Sequence, residues 1–175
     1  CACYLESKLS GFSALAPSSK SRTVPVKASD SGRLERGPAY SSIGKEDTEA
    51  AEADDWPTYR HDMARSGRSN STVSSSIGKK WTTNVGDRLS GVVVAGGRVY
   101  VSSIDTHTIY AYDTESGNYL WHYTSGGRVD SPPTIYQGRV LFGSADGYVY
   151  CLRATDGELA WRFRAAPEDR RLVAY

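Results

Sequence analysis

Trp81, Trp121 and Trp161 follow one another at intervals of 40 residues, and the stretches between them repeat one pattern of turns and strands. A fixed period of this length in a β-rich sequence means one structural unit copied, and it sets the architecture before any single residue is read. Repeats build a scaffold, so a functional site has to be found on that scaffold separately.

The chain has 175 residues and a net charge of +1. Large apolar and β-branched residues concentrate in 81–164, whereas 1–55 is rich in Ser, Ala, Lys and Glu and is expected to be a disordered tail and linker. Its acidic run Glu46, Asp47, Glu49, Glu52, Asp54 and Asp55 reads as a solvated spacer. No basic stripe marks nucleic acid as a partner. No apolar run of about 18 residues marks a membrane-spanning helix. The sequence starts at Cys1 and stops within a third repeat, and is expected to be a piece of a longer chain. Cys1, Cys3 and Cys151 form no disulfide framework. Cys151 falls in a strand as a small buried hydrophobe, and Cys1 is a candidate site for a lipid anchor.

Asp55-Trp56-Pro57-Thr58-Tyr59-Arg60-His61 interrupts the polar region with two aromatics beside a proline, a pattern that suits a docking segment. The adjacent His61 and Asp62 have no nucleophile in evidence and are read as packing and capping residues. The domain expected over 56–175 opens with a strand at Lys79–Val85. Gly91–Ala95, Arg98–Ser103, Thr108–Asp113 and Asn118–Thr124 follow, within a repeat unit over 89–125. A second unit over 130–164 contains Pro133–Tyr136, Arg139–Ser144, Tyr148–Arg153 and Glu158–Arg164, and 165–175 would begin a third. Asp146-Gly147 and Asp156-Gly157 favour tight hairpins, because two-residue turns need positive φ at their centre. Consecutive strands should therefore be antiparallel neighbours. Tyr110 and Tyr112 alternate with Ile109 and Ala111, so both faces of this sheet are apolar, as in a sheet packed between two others. Four-stranded meanders repeated radially make a β-propeller of about 4 to 8 blades. The expected fold is thus all-β: about two antiparallel blades of a partial propeller.

Ala111-Tyr112-Asp113-Thr114-Glu115-Ser116-Gly117-Asn118-Tyr119-Leu120-Trp121 resembles the tryptophan-docking motif of the quinoprotein (PQQ-like) propeller repeat, Ala-x-Asp-x-x-[Thr/Ser]-Gly-x-x-x-Trp. Ala111, Asp113, Ser116, Gly117 and Trp121 occupy its fixed positions. The second copy keeps Gly157 and Trp161 but has Cys151 for Ala, Arg153 for Asp and Asp156 for Thr/Ser. The resemblance covers about Asp55 to Tyr175. It implies structural roles: Gly117 admits the turn, Asp113 accepts backbone N–H bonds there, and Trp121 inserts between blades. Lys79–Val85, with Trp81, would be the outer strand that closes the ring, its partners lying past Tyr175.

Within that superfamily the lead-in Asp55–Asp62 and the tail Pro167–Tyr175 look like the BamB-like bacterial repeat proteins. This branch implies a non-catalytic scaffold in the periplasm or cell envelope that binds proteins through loops on one ring face. The quinoprotein alcohol and sugar dehydrogenases are the alternative, with pyrroloquinoline quinone (PQQ) and calcium held in other blades. They typically carry a vicinal Cys-Cys pair, which this sequence lacks because Ala2 separates Cys1 from Cys3. A sensor or adaptor propeller fused to another domain is a further alternative. No catalytic, cofactor or metal residue is assigned: His61, His107 and His122 lack ligand spacing. Arg98, Arg139, Arg162 and Arg164 read as solvated guards of strand edges.

Overall fold

A computed structural model describes residues 31–43, 54–86 and 88–165. The first element, β1 (Leu34–Arg36), is followed by a 3-10 helix at Pro38–Ser42. Next come β2 (Val93–Ala95), β3 (Arg98–Ser103), β4 (Thr108–Asp113) and β5 (Tyr119–Thr124). They form a four-stranded antiparallel sheet in sequential order, the first blade. The second blade repeats the layout with β6 (Thr134–Tyr136), β7 (Arg139–Gly143), β8 (Tyr148–Arg153) and β9 (Leu159–Arg164). Each blade carries a register shift at the same place, between Ala111 and Tyr112 in one and between Cys151 and Leu152 in the other. The copying therefore extends to the irregularities.

The core lies between the blades. Ile109, Ala111 and Trp121 from the first meet Val140, Phe142, Tyr150 and Leu152 from the second, all buried. Aromatic rings dominate this layer: Phe142 stacks on Tyr150 with centroids 5.1 Å apart, and Tyr123 closes on Tyr150 at 5.8 Å. The period-2 alternation explains the layer, since Ile109 and Ala111 point into it while Tyr110 and Tyr112 stack with each other on the opposite face. One blade thus gives one face to its neighbour and keeps the other for whatever lies on its far side.

One difference from the sequence-based expectation matters. Within the stretch expected as tail and linker, residues 31–43 are structured: β1 pairs antiparallel with β9 and makes the second sheet five-stranded. Composition hid this because its hold is a cross-chain ion pair, Glu35 to Arg162, and backbone pairing, neither of which leaves a local pattern. The remainder of 1–55, apart from Asp54 and Asp55, and residues 166–175 lie outside the described residues. Lys79–Val85, expected as the ring-closing strand with partners past Tyr175, makes no ladder with any described residue, in keeping with partners that lie outside this sequence. It is held by a side chain instead, as described next.

Candidate functional site

Trp81 and Trp121 each dock onto the turn between the third and fourth strands of the blade that follows. The Trp81 indole Nε1 donates to the Thr114 carbonyl at 2.9 Å, and its ring lies over Gly117. The Trp121 Nε1 donates to the Ala154 carbonyl at 3.0 Å, with its ring over Gly157. In both cases the accepting carbonyl is 33 residues past the tryptophan and the glycine 36. A side chain on Gly117 would place its Cβ 2.6 Å from Trp81 Cδ2, and one on Gly157 would lie 2.7 Å from Trp121 Cδ2. Both glycines also hold positive φ, 71° and 75°. Glycine is thus required twice over, for backbone conformation and for the indole that lies on it.

The two turns reach one backbone shape with different side chains. Gly117 N–H donates to the Asp113 carbonyl and Gly157 N–H to the Arg153 carbonyl, each at 2.9 Å. In the first turn the Asp113 carboxylate accepts the Ser116 N–H and hydroxyl, both at 2.7 Å, and the Glu115 N–H at 3.1 Å. The Ser116 bonds, then the Glu115 bond, hold its pKa below the usual carboxylate value. In the second turn Arg153 stands at the Asp113 position and binds the carboxylates of Asp156 and Glu158. Asp156 accepts the Glu158 N–H at 3.1 Å. The departures from the motif at 153 and 156 are therefore a joint replacement of one capping carboxylate by an ion cluster.

Trp161 occupies the third equivalent position, half-buried on the outward face of the second blade. Of the sequence-predicted residues, the structure brings Trp81 together with Asp113, Ser116 and Gly117, and Trp121 together with Gly157. Ala111 sits fully buried beneath the second blade, opposite Trp121 in the ladder.

At one end of both blades the loops repeat as well. The Arg88 carbonyl accepts the Ile104 N–H at 2.9 Å, and the Arg128 carbonyl, 40 residues on, accepts the Ala145 N–H at 2.8 Å. Their exposed guanidinium groups meet Asp105 at 3.1 Å and Asp130 at 2.8 Å. Sequence reasoning passed over this pair, although the 40-residue interval was the signal that could have found it. Beneath the loops, Asp146 accepts the Tyr150 hydroxyl at 2.5 Å and the Gly126 N–H at 3.1 Å, tying the incoming loop to the β7–β8 turn. Burial, then the Asp146 bond, pushes the Tyr150 phenol up to about 12.

Trp56–Thr58 docks along the opposite, inner edge of both blades. Trp56 exchanges backbone bonds with Val94 of β2 at 2.7 and 2.9 Å, the Pro57 carbonyl accepts Ile135 N–H of β6 at 2.7 Å, and Thr58 meets Thr134 at 2.8 Å. This segment covers edges that would otherwise expose unpaired backbone groups. His61 packs edge-on against Trp56 with centroids 5.0 Å apart. Asp62 caps the following turn by accepting the Ser66 N–H at 2.9 Å and hydroxyl at 2.6 Å. These Ser66 bonds, with a smaller contribution from His61, lower the Asp62 pKa to about 2. A folded pKa below the unfolded value of about 3.9 contributes stability above that value and loses it as pH falls toward 2. Protection of the Ser66 amide relative to its intrinsic exchange rate should therefore fall between pH 4 and 2 in the native chain, and Asp62→Asn should remove that step. An unchanged pH profile in the variant would refute the capping role.

Three of the four strand-edge arginines meet partners rather than water alone. Arg98 donates to the Gly96 carbonyl at 2.9 Å, Arg139 is buried and reaches the Ser42 carbonyl at 3.1 Å, and Arg162 holds Glu35. The edge-guard reading is corrected for Arg139 and Arg162, which hold residues 31–43 in place. Long-range partners leave no trace in the local sequence.

Two adjacent four-stranded meanders, joined at their seam by the Trp121 indole, define a β-propeller built of quinoprotein-type repeats. A family model described as "Outer membrane protein assembly factor BamB" matches residues 63–173, and the chain belongs to that family. Similar proteins include outer membrane protein assembly factor BamB of Moranella endobia, 32% identical over 41% of this chain and 18% of its own length. A quinohemoprotein alcohol dehydrogenase of Comamonas testosteroni is 30% identical over 64% of this chain and 18% of its own. The crystal structure of the quinohemoprotein alcohol dehydrogenase from Comamonas testosteroni superposes with a TM-score of 0.53 at 25% identity, covering 73% of this chain and 22% of that one. A europium-containing methanol dehydrogenase gives 0.56 at 20% identity, over 66% of this chain and 24% of its own, and supports the fold alone. The chain thus spans about a fifth of the length of these relatives.

Proposed function

We propose that the protein is a non-catalytic, BamB-like scaffold of the bacterial cell envelope, binding other proteins through the loops at the Arg88 and Arg128 end of its blades. The observation that carries this reading is the repetition of an exposed, charged loop end over both blades, in a chain whose family model is that of an outer membrane assembly factor. Adjacent blades presenting equivalent arginines offer an extended polar surface, whereas Trp121 is spent on holding the two blades together. Charges at an interface rim mainly set association rate and partner choice. Replacing Arg88 and Arg128 together by glutamate should weaken capture of envelope proteins by about tenfold, with thermal unfolding unchanged. Equal capture by the variant would refute the assigned surface.

The likeness to quinohemoprotein alcohol dehydrogenases, which extends over more of this chain than the BamB likeness cited above, supports a second reading. There the ring would hold PQQ and calcium at residues outside this sequence. Titrating the full-length protein with PQQ and calcium separates the two. Saturable quinone binding with dye-linked alcohol oxidation would favour the dehydrogenase, and no quinone binding would favour the scaffold.

A further inference from the structure

The fourth strand of each blade ends its meander on the side away from the Trp56–Thr58 segment, and the two copies of that outer edge differ. On β9 the edge is paired: Leu34, Glu35 and Arg36 stand opposite Phe163, Arg162 and Trp161. The Arg164 N–H donates to the Arg33 carbonyl at 2.9 Å, the Gly37 N–H donates to the Ala160 carbonyl at 2.8 Å, and Arg162 Nε donates to Glu35 at 2.8 Å. Forty residues earlier the equivalent groups are the Thr124 N–H, the Leu120 carbonyl and His122. No strand among the described residues pairs along them, because β5 is the last strand of its sheet.

A neighbouring repeat does not close such an edge. Blades meet face to face, and β9 carries β1 while the first blade lies alongside it. Arg162 keeps 37% of its side chain exposed in that arrangement. The rim position that His122 shares with Arg162 therefore stays open beside a packed blade. The register shift common to both fourth strands is no obstacle, since β9 pairs with β1 despite it.

Of the two edges, β5 has the greater need of a partner. Tyr119-Leu120-Trp121-His122-Tyr123-Thr124 holds no Lys, Arg, Asp, Glu or Pro, the residues by which proteins blunt free edges. Tyr119 and Leu120 are 53% and 42% exposed. β9 carries Arg162 and Arg164 and is covered nonetheless. The chemistry opposite residue 122 is also set. The Tyr119 hydroxyl lies 2.6 Å from His122 Nδ1. A phenol that donates there leaves the Nε2–H as the donor of the ring, and a carboxylate is the acceptor that suits both this tautomer and the imidazolium. Glu35 is the matching carboxylate on the occupied edge.

We propose that the outer edge of β5 is a strand-addition site for an extended segment of a partner protein that places an acidic residue opposite His122. β1 on β9 is the chain's own example of such a ligand. Backbone bonds supply the affinity, and the cross-strand acid fixes the register. The site is separate from the Arg88 and Arg128 loop end, so either assignment can fail alone.

The probe is the capped peptide Ser-Gly-Arg-Leu-Glu-Arg-Gly, the sequence of residues 31–37, added to the full-length protein. At saturation it should slow exchange of the Thr124 amide at least about fivefold, with β4 amides unaltered. Replacing the Glu of the peptide by Arg should abolish that protection. His122→Glu should reverse the preference, rejecting the original peptide and accepting the Arg one. His122→Arg, which copies position 162, should bind the original peptide about tenfold more tightly. These variants change an exposed side chain, and unaltered β4 amides show that they fold. A Thr124 amide that is protected in the full-length protein before any peptide is added would overturn the proposal, because the chain then covers the edge itself. Equal protection by both peptides, or protection by neither, would overturn it as well.

Discussion

Gly157→Ala is expected to destabilise the seam between the blades by about 3 kcal/mol, while Gly97→Ala costs about 1 kcal/mol. Both glycines have positive φ, 75° and 68°, so both substitutions carry the same backbone penalty. They differ in what a methyl group meets. Nothing lies within 4 Å of a Cβ on Gly97, whereas one on Gly157 would press into the six-membered ring of Trp121. The indole cannot retreat without losing its bond to the Ala154 carbonyl and its packing against Tyr100, 5.8 Å away. Urea unfolding followed by tryptophan fluorescence measures both variants. Equal midpoints would show that φ alone selects glycine there, and the docking account would fail.

The blades were legible because their signals are local and repeated. Arg98–Ser103, Thr108–Asp113 and Tyr148–Arg153 were readable from alternation, and glycine-containing turns bracket them. The indole-on-glycine seam was legible in part. Motif spacing pointed to an inter-blade role for Trp121, but not to the receiving carbonyl of Ala154, which any residue could supply. Residues 34–36 were unreadable for a different reason. Their partners, Trp161, Arg162 and Phe163, lie more than 120 positions away, and a three-residue edge strand has too few side chains to show a period. Lys79–Val85 is a different case, since the partners expected for it lie past Tyr175 and its ladder depends on an edge outside this sequence. Arg88 and Arg128 show that the repeat itself was underused, because equivalent exposed positions carry the same interval as the buried ones.

Trp121→Ala should be the most damaging single truncation of the repeat motif, at about 4 kcal/mol, against about 1–2 kcal/mol for Trp81→Ala. Both indoles make equivalent hydrogen bonds and cover equivalent glycines, so chemistry alone predicts equal effects. Burial separates them. Trp121 is 6% exposed within the inter-blade core, and removing it opens a cavity lined by Tyr100, Leu152 and Ala154 and leaves the Ala154 carbonyl without its indole donor. Trp81 is half-buried on the outer face of the first blade, where water can replace the lost bond to Thr114. Since native domains are stable by only about 5–15 kcal/mol, the Trp121 variant should separate the blades under mild denaturant. Combining Trp121→Ala with Gly157→Ala sharpens the test. With the indole gone, the new methyl group meets space rather than a ring, and the double variant should lose about 2 kcal/mol less than the two single losses together. Additive losses would mean that Trp121 and Gly157 stabilise the seam independently, and that the shared spacing of 36 residues does not couple them.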